Sequence, residues 1–148
     1  MAPKPILRKV DPTRPAIVAA IHNIHEACFP GYEVPGLHGD WWIAYAAGKP
    51  VAFCGLWPSV STPGAGYLCR AGVLPEARGL GLQRRMIRIR EREAREKGWT
   101  TLFSDVDPEN PPSMNNLFAC GYRAFRPAAP WCGAEWVYVR KVITDGAA

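Results

Sequence analysis

The chain has 148 residues, 48% of them apolar, a net charge of +5 and five scattered cysteines. That is the length of one domain, with enough apolar side chain for a core and too much for a disordered chain. The cysteines (Cys28, Cys54, Cys69, Cys120 and Cys132) form no CxxC pair and no Cys/His ligand spacing, which argues against a disulfide framework and offers no metal site.

Scattered cysteines suit a reducing compartment, and Cys54 and Cys69 lie in apolar runs where free cysteine is a small hydrophobe. Met1-Ala-Pro-Lys-Pro has no apolar signal region, and no apolar run approaches the ~20 residues of a membrane span. A cytoplasmic protein with no membrane partner is therefore expected. The positive charge suits a polyanion, but one arginine-rich helix supplies most of it. No sequence-reading module stands beside it, so nucleic acid is not the expected partner.

In chain order, Ile6–Val10 is a short strand that ends at Asp11-Pro12. Pro15–Cys28 is an amphipathic helix: Ile17, Ile21, Ile24 and Cys28 recur at helical spacing, Pro15 fits the first turn, and Thr13 or Asp11 can cap it. His22 and His25 are three apart with no third ligand nearby, so they read as surface or boundary residues. Residues 29–40 are a Gly/Pro-rich loop holding Tyr32, Glu33, His38 and Asp40, either a plain connection or a substrate-side wall. Residues 41–46 and 51–57 form a hairpin around Ala47-Gly48-Lys49-Pro50. After a loop, residues 66–73 extend the meander.

The stretch from Val73 to Arg85, with Arg78-Gly79-Leu80-Gly81-Leu82-Gln83-Arg84 at its heart, joins that strand to a helix over residues 83–97. A glycine-bearing loop feeding a helix leaves unpaired N–H groups and a positive dipole end, which is the local physics of a phosphate seat. The helix has a thin apolar stripe and charged i,i+4 pairs, Glu91/Arg95, Arg92/Glu96 and Glu93/Lys97, and Gly98 ends it. Residues 100–106 are a strand. Ser113 then caps a short helix to about Cys120, stopped by Gly121. Residues 122–125 and 135–143 are the last strands, and residues 144–148 fray. The strand–helix–strand unit needs one parallel pair, whereas the hairpins need antiparallel pairing. The loop is not a Walker motif, since no GK[ST] follows its glycines, and it fits a dinucleotide fingerprint poorly.

This order, with Val73-x-Pro75-x-x-Arg78-Gly79-x-Gly81-Leu82, resembles the GNAT superfamily of acyl-CoA-dependent N-acetyltransferases. Asn110-Pro-Pro-Ser113 followed by Gly121-Tyr122 looks like a second motif of that family. The fold implied is α/β: a mixed, mostly antiparallel sheet with one splayed parallel pair, in a single domain over residues 1–148. The resemblance implies acetyl-CoA as co-substrate and no metal. Arg78, Gly79, Leu80, Gly81, Leu82, Gln83 and Arg84 would wrap its pyrophosphate, mostly through backbone N–H groups. Ala71, Gly72 and Val73 would bond the pantetheine arm where the parallel strands splay, and Asn110 would touch the coenzyme near that arm. Arg85 and Arg88 either add charge there or form a solvated helix face.

Two positions depart from the family pattern. Gln83 replaces a usual Gly or Ala, and Leu117, next to Phe118, stands where many members carry the tyrosine that protonates the leaving thiolate. The acid would then be Tyr45, Tyr67 or a water, or the thiolate leaves unassisted. Asp105 occupies the place of a glutamate base in some ribosomal-protein-acetylating members. It is either that base or, with Asp107, a turn-favouring carboxylate, and Glu33, His38 and Asp40 are the other candidates. The expected function is N-acetyl transfer from acetyl-CoA to a primary amine, of a small molecule or a protein, by direct attack in a ternary complex. The competing readings are a non-catalytic coenzyme- or nucleic-acid-binding module and a transferase of a longer acyl group. The acceptor is open, as is the oligomeric state, a homodimer included. Trp41, Trp42, Trp57 and Trp131 either line the acceptor wall, formed by residues 29–40 and 127–134, or belong to the core.

Overall fold

The periodicities of the sequence become seven strands and three helices: β1 (Ile6–Val10), α1 (Pro15–Cys28), β2 (Asp40–Ala46), β3 (Lys49–Pro58), β4 (Ala65–Val73), α2 (Leu82–Glu96), β5 (Thr101–Val106), α3 (Pro111–Ala119), β6 (Arg123–Phe125) and β7 (Val137–Val142). The computed structural model describes residues 4–144, so residues 145–148 of the tail expected to fray lie outside the described residues. A 3-10 turn, Pro75–Ala77, stands between β4 and α2. The strands form one sheet in the order β1-β2-β3-β4-β5-β7-β6. The β4–β5 pair is parallel, and β1–β2, β2–β3, β5–β7 and β6–β7 are antiparallel. The described residues divide into two units, 4–57 with 69–86 and 58–68 with 87–144. β4 and α2 each pass from one unit to the other.

In the first unit, β2 and β3 are near-continuous apolar runs, and Trp41, Trp42, Ile43, Val51, Phe53, Cys54 and Leu56 are all buried. Two of the four tryptophans weighed for the acceptor wall, Trp41 and Trp42, are therefore core. The β2–β3 turn is tighter than expected: Ala47 and Gly48 alone form it, both at positive φ (50° and 79°). Pro50 belongs to β3, opposite Tyr45, where the register shifts and a missing N–H is tolerated. Helix α1 packs through Ile21 and Ile24, each worth about 1.5–3 kcal/mol of apolar burial.

His25 corrects the expectation of a surface or boundary residue, because its relative exposure is 0%. Arg70 Nη1 lies 2.7 Å from His25 Nε2. Arginine only donates, so Nε2 accepts and the ring proton sits on Nδ1, which is buried without a hydrogen-bond partner among the described residues. Burial first, and then the Arg70 charge, hold the His25 pKa below its ordinary value of 6.5. The unfolded chain therefore binds a proton on His25 more readily than the folded one. The contribution of the neutral ring is whole above about pH 6.5 and is lost as pH falls below it. His25→Gln keeps an acceptor for Arg70 but cannot titrate. Denaturant midpoints measured across that range should fall more steeply on acidification for the native chain than for the variant.

In the second unit, β5 alternates: Leu102, Ser104 and Val106 are buried, and Thr101, Phe103 and Asp105 are half-buried on the other face. Helix α2 turns Glu91 inward, at 4% exposure, rather than toward Arg95. Glu91 accepts from the Tyr122 hydroxyl (2.8 Å) and pairs with Lys141 (3.0 Å), while Arg95 Nε donates to the Ile143 carbonyl (3.2 Å). The expected surface pair Arg92–Glu96 forms, at 3.6 Å. Burial, then the Glu91 carboxylate, push the Tyr122 hydroxyl pKa up, so it remains a neutral donor. This network explains Tyr122 after Gly121: glycine at φ 94° turns the chain out of α3, and the next ring is fully buried.

Asn110, not Ser113, caps α3, its side chain accepting from Ser113 N at 3.3 Å. Pro111 and Pro112 fill the first turn, where a missing N–H leaves nothing unsatisfied, so the helix starts two residues before Ser113.

Candidate functional site

The loop before α2 lies in the first unit. β4 ends at Val73, and Leu74 N–H donates to the Val51 carbonyl (2.8 Å), so that amide is already engaged. Gly72 lies under α1: an added Cβ would come within 2.9 Å of Phe53 and 3.1 Å of Cys28 Sγ. The Val73 carbonyl accepts from Cys28 Sγ (3.4 Å) and from Arg78 Nε (3.1 Å). The Arg78 side chain is thus folded back on the strand, and what its loop presents is backbone. Burial pushes the Cys28 thiol pKa up, and the Arg78 guanidinium opposes that.

Arg78, Gly79, Leu80 and Gly81 are exposed, and Gly79 and Gly81 have φ of 79° and 75°. No heavy atom lies within 4 Å of a Cβ built on either. Their need for glycine is therefore conformational, with open space in front of the backbone. Leu82 is buried and anchors the first turn of α2, Gln83 is half-buried and Arg84 is exposed. Arg85 Nη1 is a buried cationic donor with no hydrogen-bond partner among the described residues. Left-handed glycines, the positive end of a 15-residue helix and an unsatisfied guanidinium nitrogen fit a pyrophosphate.

The second unit holds the carboxylate. The β4–β5 ladder runs from Ala65↔Thr101 to Tyr67↔Phe103. At the next step a side chain takes over, with the Ser104 hydroxyl donating to the Leu68 carbonyl (3.2 Å). Asp105 follows. Its Oδ2 accepts from the Tyr67 hydroxyl (2.6 Å) and from Trp131 Nε1 (2.7 Å). Of the tyrosines weighed as the acid, Tyr67 is thus tied to Asp105, whereas Tyr45 lines a groove with Lys4, Ile6, Arg8, Ala47 and Gly48. Leu117 is 6% exposed and packs inward.

The remaining base candidates are engaged elsewhere or exposed. Asp40 pairs with Lys9 (3.2 Å), and His38 stacks on Trp57 at 4.4 Å between centroids. Glu33 is exposed. The structure thus brings Asp105 together with Tyr67 and Trp131, contacts 38 and 26 residues apart in sequence that no local pattern announced. Asn110 is placed by its capping role. Among the described residues, no group of three or more His, Cys, Asp or Glu side chains could hold a metal ion, and no helix is long and apolar enough to cross a membrane.

The model of the acetyltransferase (GNAT) family matches residues 18–122. Solved structures share the fold at low identity. The ribosomal-protein-S18-alanine N-acetyltransferase of Escherichia coli is 16% identical with a TM-score of 0.75, over 95% of this chain and 94% of that one. An acetyltransferase of Bacillus subtilis in complex with CoA is 11% identical with a TM-score of 0.74, over 94% and 99%. A Salmonella typhimurium protein solved with its cofactor acetyl-CoA is 16% identical with a TM-score of 0.72, over 99% and 98%. No curated protein matches by sequence.

Proposed function

Since the chain belongs to the GNAT acetyltransferase family, we propose that it moves an acetyl group from acetyl-CoA to a primary amine by direct attack in a ternary complex. The observation that carries this reading is the loop at the head of α2, with two left-handed glycines facing open space and an unpartnered Arg85 nitrogen. Residues 78–84 hold the pyrophosphate through backbone N–H groups. Ala71, Gly72 and Val73 bond the pantetheine arm, and the Asn110 amide nitrogen, left over from capping, reaches the coenzyme. Bound acetyl-CoA supplies the activated acyl group, and the protein's share is positioning and proton transfer.

Asp105 acts as the base. Both of its hydrogen bonds fall on Oδ2, leaving Oδ1 to take a proton from the acceptor, directly or through water. The Tyr67 hydroxyl donates to the carboxylate at 2.6 Å and holds it in place, and the proton that Oδ1 takes up leaves to solvent. We read residues 1–148 as a single catalytic domain. Its five free cysteines support a reducing compartment, and we place it in the cytoplasm.

The buried Leu117 favours one alternative, a coenzyme-binding module without turnover. Thiol release from acetyl-CoA separates the two readings. Release that depends on an added primary amine, across a panel of alkylamines, polyamines and peptides, is the expected result. Coenzyme binding with no amine-dependent release in any member of the panel would leave the binding module.

A further inference from the structure

Asp105 sits in unusual company for a half-buried carboxylate. On β7, Tyr138 is its direct partner in register, so the two side chains share a face of the sheet. Tyr67 reaches the same carboxylate from β4, and Trp131 covers it from the connection between β6 and β7. The Trp131 ring meets Tyr138 edge-on (4.5 Å, 73°) and Tyr67 likewise at longer range (6.4 Å, 87°). No lysine, arginine or histidine pairs with Asp105 among the described residues. The nearby cations are engaged elsewhere, with Arg140 over the Phe125 ring (4.4 Å) and Lys141 on Glu91.

Trp131 is the informative member. It is 49% exposed, so it contributes little to the core, yet its indole N–H is engaged by Asp105. The chain just after it is fastened: the Tyr138 hydroxyl accepts from Cys132 N (2.7 Å) and donates to the Gly133 carbonyl (2.9 Å). Ordering an exposed connection costs about 1–2 kcal/mol of backbone entropy per residue. A large half-exposed ring held by its N–H edge against a carboxylate with no cationic partner among the described residues has a chemical use. Aromatic faces are electron-rich and attract cations, and a carboxylate with one open oxygen accepts from an ammonium.

Resting on the acetyltransferase reading above, we propose that Tyr67 and Trp131 form around Asp105 the subsite that binds the acceptor's ammonium group, with the buried Tyr138 holding Trp131 in place and Trp131 selecting acceptors that are cationic at neutral pH. The ammonium gives one proton to Asp105 Oδ1. The free amine then forms the C–N bond to the thioester carbonyl as the C–S bond breaks. The nitrogen's second surplus proton ends on the departing thiolate, and Asp105 returns its own to solvent. Alkylamines and lysine-like or N-terminal amines gain from this subsite, and weakly basic aromatic amines do not.

The test uses the coenzyme A-bound protein, which has no acyl group to transfer, titrated with n-butylammonium and with its neutral counterpart n-butanol. The readout is the Trp131 indole N–H resonance, assigned with Trp131→Phe, and calorimetry gives the affinities. Wild type should bind n-butylammonium about tenfold more tightly than n-butanol, and Trp131→Ala should reduce that preference several-fold while keeping its coenzyme A affinity. Should the alanine variant fail to fold, Trp131→Phe serves in its place and is expected to bind n-butylammonium with intermediate affinity. Equal binding of the two probes to wild type, or undiminished selectivity in the variant that folds, overturns the proposal. Failure of the acetyltransferase reading would show differently, as no amine-dependent thiol release from acetyl-CoA by the wild type.

Discussion

Gly81→Glu is expected to lower acetyl-CoA affinity by about a hundredfold or more, since like charges brought together at a binding surface cost several kcal/mol. Gly81 supplies the carbonyl that accepts the Arg85 N–H at the first turn of α2, at φ 75°. A glutamate there carries a carboxylate into the space proposed for the phosphates and opposes the positive helix end. The fold itself should lose only about 1–2 kcal/mol, the strain of a non-glycine residue in the left-handed region. Nothing lies within 4 Å of the new Cβ to add a clash. Gly81→Ala isolates that strain: it should share the loss of denaturation midpoint and keep most of the coenzyme affinity. Calorimetry decides the matter. Wild-type acetyl-CoA affinity in the glutamate variant would show that the loop is only a tight turn.

The loop was readable because its signal is local. Two glycines and three arginines between a strand pattern and a helix pattern lie within a dozen residues, and backbone conformation follows directly from glycine. The bounds of α1 were readable for the same reason, from Pro15 at one end and the isoleucine period within. His25 had a usable signal too: it is four residues after Ile21 and one after Ile24, on the face those residues bury, whereas His22 is not. The cap of α3 was misassigned because Asn and Ser both cap helices, and only the two prolines between them favour Asn110. Glu91 looked like a surface partner of Arg95, since helical spacing shows who can meet on a helix and not what the opposing strand offers. The Asp105 cluster was the least legible. Tyr67, Asp105, Trp131 and Tyr138 come from three strands and a loop, and only the register of β5 against β7 and the path of residues 126–136 bring them together.

Asp105→Asn carries the second large effect. Turnover should fall by about 10²–10⁴, the usual contribution of a positioned acid or base. Acetyl-CoA affinity should stay near wild type, because the hydrogen-bond partners of the side chain are Tyr67 and Trp131. The amide keeps an oxygen that can accept both the Tyr67 hydroxyl and the Trp131 indole N–H, so the cluster can survive while its charge and basicity go. That separates chemistry from architecture: the Trp131 indole resonance should remain in place while amine-dependent thiol release slows. The pH–rate profile is the sharper measure, since the limb that reports deprotonation of the base should vanish from the variant. An unchanged profile would remove Asp105 from the mechanism and leave it as the anchor of Trp131. The two substitutions at this cluster should also divide the kinetics. Trp131→Ala mainly raises KM for the amine, by loosening recognition, whereas Asp105→Asn lowers kcat as well, since it removes the base along with the ammonium's partner. A variant pair that instead lost both parameters equally would mean that carboxylate and ring act as one unit, with recognition of the ammonium and removal of its proton inseparable in this chain.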